Sequence, residues 1–238
     1  MAENFSIFDA GWDVHETFLT NTSISDANVG KELWDIDAIS GGADTLTYET
    51  ADGETFLRMT GGGSGDGDGT ALSLGANSVS FGGAGGYCNF RVRVPDITSN
   101  AIAANNFRIG FTDVRDSGEP VVGIWVDNDG GVVSIDCASA NGDVNAAVSA
   151  SKLTSSTTLV LGTTYNMRLA WSGENANGGP DTVTLHINGQ LAAELKGVCL
   201  IGQTETCEPT ITHWCDTGGG STLELDVFGY EAESFIVK

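Results

Sequence analysis

Asp181-Thr182-Val183-Thr184-Leu185-His186-Ile187-Asn188-Gly189-Gln190-Leu191-Ala192-Ala193-Glu194-Leu195 is the stretch that decides the fold. Val183, Leu185 and Ile187 alternate with Thr182, Thr184 and His186, the period of a strand with one face buried. Asn188-Gly189 follows, and a tight hairpin turn needs positive φ at both central positions, which Asn and Gly adopt at low cost. The return run over residues 190–195 completes a hairpin. Working outward, Tyr165, Met167, Leu169 and Trp171 alternate in the run before it. Phe90, Val92 and Val94 alternate with Arg91 and Arg93 before Pro95, and residues 107–111 read in the same half-solvated way. Residues 45–50 and 54–60 flank Ala51-Asp52-Gly53. Residues 121–127 and 132–137 flank Asn128-Asp129-Gly130-Gly131. Residues 70–74 and 78–81 are short runs, and residues 223–230 form a closing strand. The count is about ten to twelve strands, evenly spaced by turns, which predicts a single all-β antiparallel β-sandwich.

Composition agrees. Gly is 33 of 238 residues, about twice the usual share of roughly 7%, and Pro is 4. The nine residues from Gly61 to Gly69 contain six glycines with Ser64, Asp66 and Asp68, so they read as a loop. Residues 138–153 carry Ser, Asn and Gly in a pattern that predicts a loop or short helical turn, and no helix is expected elsewhere. Lys plus Arg is 10 against 32 Asp plus Glu, a net charge of −22. That balance excludes nucleic acid and anionic membrane as partners, because both are bound mainly through Lys and Arg. The N-terminus Met-Ala-Glu-Asn-Phe lacks a basic region followed by an apolar stretch, so no Sec-type signal is expected. Mostly free thiols are therefore expected among Cys88, Cys137, Cys199, Cys207 and Cys215, as small buried residues without zinc-ribbon spacing, with any pairing left open.

Leu161-Gly162-Thr163-Thr164-Tyr165-Asn166-Met167-Arg168-Leu169, followed by the hairpin above, resembles two consecutive strands of the concanavalin A-like jelly roll, in its laminin G-like and lectin-like members. Phe107-Arg108-Ile109-Gly110-Phe111-Thr112-Asp113 resembles the family's central strand. The resemblance covers about residues 45–236 and implies a jelly-roll sandwich. The family includes endo-β-glucanases whose catalytic strand reads Glu-x-Asp-x-x-Glu. Here Glu224-Leu225-Asp226 begins that pattern but Gly229 takes the sixth place, so one of the two carboxylates a retaining glycosidase requires is missing. No enzyme activity is expected. Alternation sets Leu223, Leu225 and Val227 on one face and Glu224, Asp226 and Phe228 on the other.

Two loops offer hard oxygen ligands, Asp66 with Asp68 and Asp127 with Asp129. Alternating Asp and Gly suits calcium, although solvated turns use the same residues. His186 reads as a surface residue of a strand. His213-Trp214-Cys215 reads as a loop. Trp125 and Trp171 fall in alternating strands as core residues. Residues 1–30 lack alternation yet carry Phe5, Phe8, Trp12 and Phe18, which predicts an N-terminal arm that docks on a partner, with residues 31–238 as one domain. From these features the chain is expected to be a virion structural protein, a capsid decoration or cement protein assembled in a host cytoplasm and bound to capsid protein and to copies of itself. The alternative is a glycan-binding lectin-like module.

Overall fold

The computed structural model describes residues 12–17, 34–39, 45–51, 54–61, 67–74, 79–81, 85–97, 100–139, 153–197, 199, 201–202, 204–216 and 221–232. Among them are fifteen strands and one short 3-10 turn, Ile102–Ala104. They are β1 (Trp12–Thr17), β2 (Asp35–Ile39), β3 (Thr45–Ala51), β4 (Glu54–Gly61), β5 (Gly69–Ser73), β6 (Gly86–Arg93), β7 (Asn105–Thr112) and β8 (Gly123–Asp129). There follow β9 (Val132–Ala138), β10 (Leu153–Thr158), β11 (Thr164–Ser172), β12 (Thr182–Ile187), β13 (Gln190–Lys196), β14 (Glu208–Cys215) and β15 (Ser221–Ala232).

The strands form two antiparallel sheets. One has eight strands in the order β13-β12-β11-β6-β15-β4-β3, with β1 also paired to β15. The other has seven, in the order β10-β9-β8-β7-β14-β5-β2. The core lies between them. Phe90, Val92, Met167, Leu169, Trp171, Val183 and Leu185 come from the first sheet; Phe107, Ile109, Phe111, Ile124, Val126, Ile135 and Ile211 come from the second. Phe81, Phe111 and Trp171 meet edge to face, with centroids 5.5, 5.3 and 5.4 Å apart, a geometry the ring quadrupoles favour. The decisive hairpin is present as expected: Asn188 and Gly189 have φ of 51° and 79°, and Asn188 Oδ1 accepts from the Asn166 N–H at 2.9 Å.

β15 is the long central strand of the eight-stranded sheet. β6 runs along one side of it; β4 covers residues 221–225 of the other side, and β1 covers residues 227–232. The register of β15 against β6 shifts between Leu225 and Val227, the irregularity of an extra residue in one strand.

Several expectations are corrected. His213-Trp214-Cys215 is the end of β14, not a loop. β7 and β14 are buried at every position, so residues 107–111 are not half-solvated. A strand covered on both faces loses the polar alternation by which sequence reveals it. Cys137 and Cys199 form a disulfide with Cα atoms 5.7 Å apart, while Cys88, Cys207 and Cys215 are free and buried, so most of the thiols are free, as expected, and one pair is not. The pair joins an inward residue of β9 to the connection after β13, two places brought together only by the fold. Trp12–Thr17, expected within the arm, is a strand paired antiparallel with β15. Phe5, Phe8 and Phe18 lie outside the described residues, as do residues 140–152 of the expected loop.

Candidate binding face on the seven-stranded sheet

The outer face of the seven-stranded sheet is polar, aromatic and closed off. In β7, Phe107, Ile109 and Phe111 enter the core, so Asn106, Arg108, Gly110 and Thr112 point the other way. By register their neighbours are Trp125 and Asp127 on β8, and Glu208, Thr210, Thr212 and Trp214 on β14. Ser73 follows on β5, opposite Thr210. All of these side chains are buried. At Gly110, directly opposite Trp125, a Cβ would lie 2.5 Å from the Ile124 carbonyl oxygen and 3.0 Å from the Trp125 Cβ, so this position must be bare for the indole to fit.

The cover is the β7–β8 loop, residues 113–122, held by two arginines acting in opposite senses. Arg108 reaches from the sheet to the loop. Its guanidinium lies 5.8 and 5.1 Å from the rings of Trp125 and Trp214, and its Nη1 donates to the Gly118 carbonyl at 2.7 Å. Its other nitrogens stand 3.8 Å from Asp127 and 3.6 Å from Glu119. Arg115 reaches from the loop to the sheet. Its Nε and Nη2 donate to both oxygens of Glu208 at 2.7 and 2.9 Å, and its Nη1 donates to Asp37 at 2.9 Å. This two-pronged geometry is the strong form of the Arg–carboxylate bond; Glu208, and to a lesser extent Asp37, raise the affinity of Arg115 for its proton against a partial desolvation. Asp113 closes the base of the loop by accepting from the N–H groups of Val121 and Val122 at 3.0 and 3.1 Å. The rim is acidic and open: Asp116, Glu119 and Asp129 are exposed.

Four buried donors on this face make no hydrogen bond, Trp125 Nε1, Ser73 Oγ, Asn106 Nδ2 and Arg108 Nε, the last standing 3.8 Å from Asp127. Buried polar groups are normally satisfied, so such atoms mark places where water or a ligand belongs.

The residues singled out from sequence are distributed as follows. Asp66 lies outside the described residues. Asp68 is buried just before β5, Asp127 sits beneath the loop beside Arg108, and Asp129 is exposed at the end of β8. Two strands, β14 and β7, separate β5 from β8, so the two acidic loops are separate places on the sheet. Among the described residues, no three His, Cys, Asp or Glu side chains are grouped to hold a metal. Trp171 is in the core, whereas Trp125 is buried on the outer face. His186 is half-buried on its strand. The arginines that organise the face, and Glu208, were not recognised from sequence; the one available signal was Arg108 set between Phe107 and Ile109.

No protein-family model matches this chain, and no curated protein does. Solved structures share its fold at low identity. An endo-β-1,4-glucuronan lyase from the fungus Trichoderma reesei aligns with a TM-score of 0.56 at 13% identity, over 91% of this chain and 94% of that one. The carbohydrate recognition domain of Emp47p aligns with a TM-score of 0.56 at 10% identity, over 92% and 95%. The binding domain of botulinum neurotoxin serotype G aligns with a TM-score of 0.53 at 10% identity, over 91% of this chain and 46% of that one. The fold is a concanavalin A-like antiparallel β-sandwich. At such identities the likeness concerns architecture alone.

Proposed function

We propose that this protein is a lectin-like module that binds a neutral saccharide at the loop-covered face of the seven-stranded sheet, without cleaving it. The observation that carries this reading is the set of buried donors without a hydrogen bond, Trp125 Nε1, Ser73 Oγ and Asn106 Nδ2 among them, on a face built of Trp, Arg, Asp and Thr. Saccharide sites combine aromatic surface with a few fixed polar groups. The domain of Emp47p is by its name a carbohydrate recognition domain, which favours the same use here. The acidic rim, with Asp116, Glu119 and Asp129, repels anionic sugars and leaves neutral ones. Asp127 and Glu208 are each engaged by an arginine, a poor arrangement for an acid–base pair. The decoration role expected from composition has no support among the neighbours named above.

The test is a glycan array followed by calorimetry on any sugar retained. Wild type retains a neutral glycan, and Arg115→Ala, which undocks the loop, weakens binding about tenfold or more while the far-UV spectrum stays that of a β-protein. An array with no retained glycan, or an Arg115→Ala protein that binds as wild type does, overturns the reading. So does release of reducing ends from a β-glucan that Glu224→Gln abolishes.

A further inference from the structure

The opposite surface, the outer face of the eight-stranded sheet, is open, and it holds a cleft of about 430 Å³ lined by Arg168, Ala170, His186 and Gly189. Arg168 on β11 pairs across to His186 on β12 and to Asn89 on β6. Its guanidinium stacks on the Tyr87 ring, 3.8 Å from the centroid. Stacking fixes the plane of the guanidinium and leaves its edge N–H groups pointing outward. In a chain with 32 acids and 10 bases, an arginine is expected to find a carboxylate. Arg58 faces Glu49, Arg108 faces Asp127, and Arg115 holds Glu208. Arg168 has no such partner among the described residues. Glu194 lies one row away on β13, paired to Thr184.

His186 makes the second half. The register of the β12–β13 hairpin shifts between Leu185 and His186, an irregularity that re-aims side chains and recurs beside functional sites. Its Nδ1 is buried without a hydrogen-bond partner, and in either tautomer the ring offers one N–H donor. Ala170 and Gly189 add no bulk, and a Cβ at Gly189 would meet nothing within 4 Å, so the cleft stays accessible over the guanidinium edge.

We propose that Arg168 and His186 form a binding site for one oxyanion group of a saccharide, a carboxylate or a sulfate ester. The guanidinium supplies a two-pronged contact and the imidazole a third donor. The site stands on a different sheet from the neutral-sugar face and does not depend on it.

The test is an amide NMR titration of the full chain with sodium glucuronate, with methyl sulfate and with glucose, at ionic strength held constant by sodium chloride. Either anion, or both, shifts the Arg168, His186 and Gly189 amides saturably; the arm that responds identifies carboxylate or sulfate, and glucose has no effect. Arg168→Gln weakens the response about tenfold or more, and Arg168→Lys restores only part of it because the fork is lost. The exposed position of Arg168 leaves the rest of the amide spectrum unchanged in both variants, and Arg115→Ala leaves the titration unchanged, so the two proposals fail separately. No saturable shift with either anion, an equal response to glucose, or an undiminished response in Arg168→Gln overturns the site.

Discussion

His213 shows what one residue costs when a strand buries it. It lies inside the sandwich on β14, opposite Thr70 and Phe107. It is fully buried, and neither ring nitrogen has a hydrogen-bond partner. Desolvation pulls its pKa from 6.5 down to about 3. The unfolded ring therefore takes up a proton as pH falls below about 6.5, while the native ring stays neutral until about 3. The unfolded state binds the extra proton, so stability is lost across that window as pH falls, at roughly 1 kcal/mol per pH unit. Urea unfolding of wild type and His213→Leu between pH 7 and 4 checks this. The stability difference between them shifts in favour of the variant on acidification, whatever the many carboxylates contribute to both. A pH-independent difference would contradict the assignment. The sequence around His213 offers Thr210, Ile211, Thr212 and Trp214 without alternation, so a strand was not legible there. Arg108 was legible as a strand residue, but its burial depends on the loop of residues 113–122 folding over it through the Gly118 carbonyl, and no local pattern announces where a loop docks.

At the scale of elements, the connection from β13 to β14 carries the chain from one sheet to the other and is fastened at several points. The Cys137–Cys199 disulfide ties it to β9. Asn175 Nδ2 donates to the carbonyls of Pro180, Cys199 and Ile201 at 2.9, 3.0 and 2.9 Å. Glu205 accepts from Ser139 Oγ at 2.8 Å and from the Gly202 N–H at 2.6 Å. Replacing Cys137 and Cys199 together by Ser lowers stability by about 2–4 kcal/mol in chemical denaturation. A thiol titration provides a second check. Denatured, unreduced protein yields the three free thiols of Cys88, Cys207 and Cys215. Native protein shields Cys88 and Cys207, whose pKa values burial pushes up, since the thiolate is the reactive form. Hairpins were legible because turn chemistry and alternation are local. This pairing was not, because its cysteines are 62 residues apart and nothing in their spacing selects one partner over another.

For the whole molecule, the two sheets differ in how they meet water. β5, β7 and β14 are buried at every position, whereas β11 and β12 alternate between buried and more open positions, and β13 is largely exposed. Local opening should follow that difference. In native-state hydrogen exchange the amides of β7 and β14 exchange slowest, and those of the edge strand β13 exchange early; the reverse order would contradict the double burial. The second side of β15 is also shared end to end by β4 and β1, with residues 18–33 between β1 and Trp34 in the chain. The ladder from Trp12–Ala232 to Thr17–Val227 reads the same whichever copy of the chain supplies β1. Exchange of that strand between two molecules would keep every backbone bond of the ladder, which is the condition that strand swapping requires.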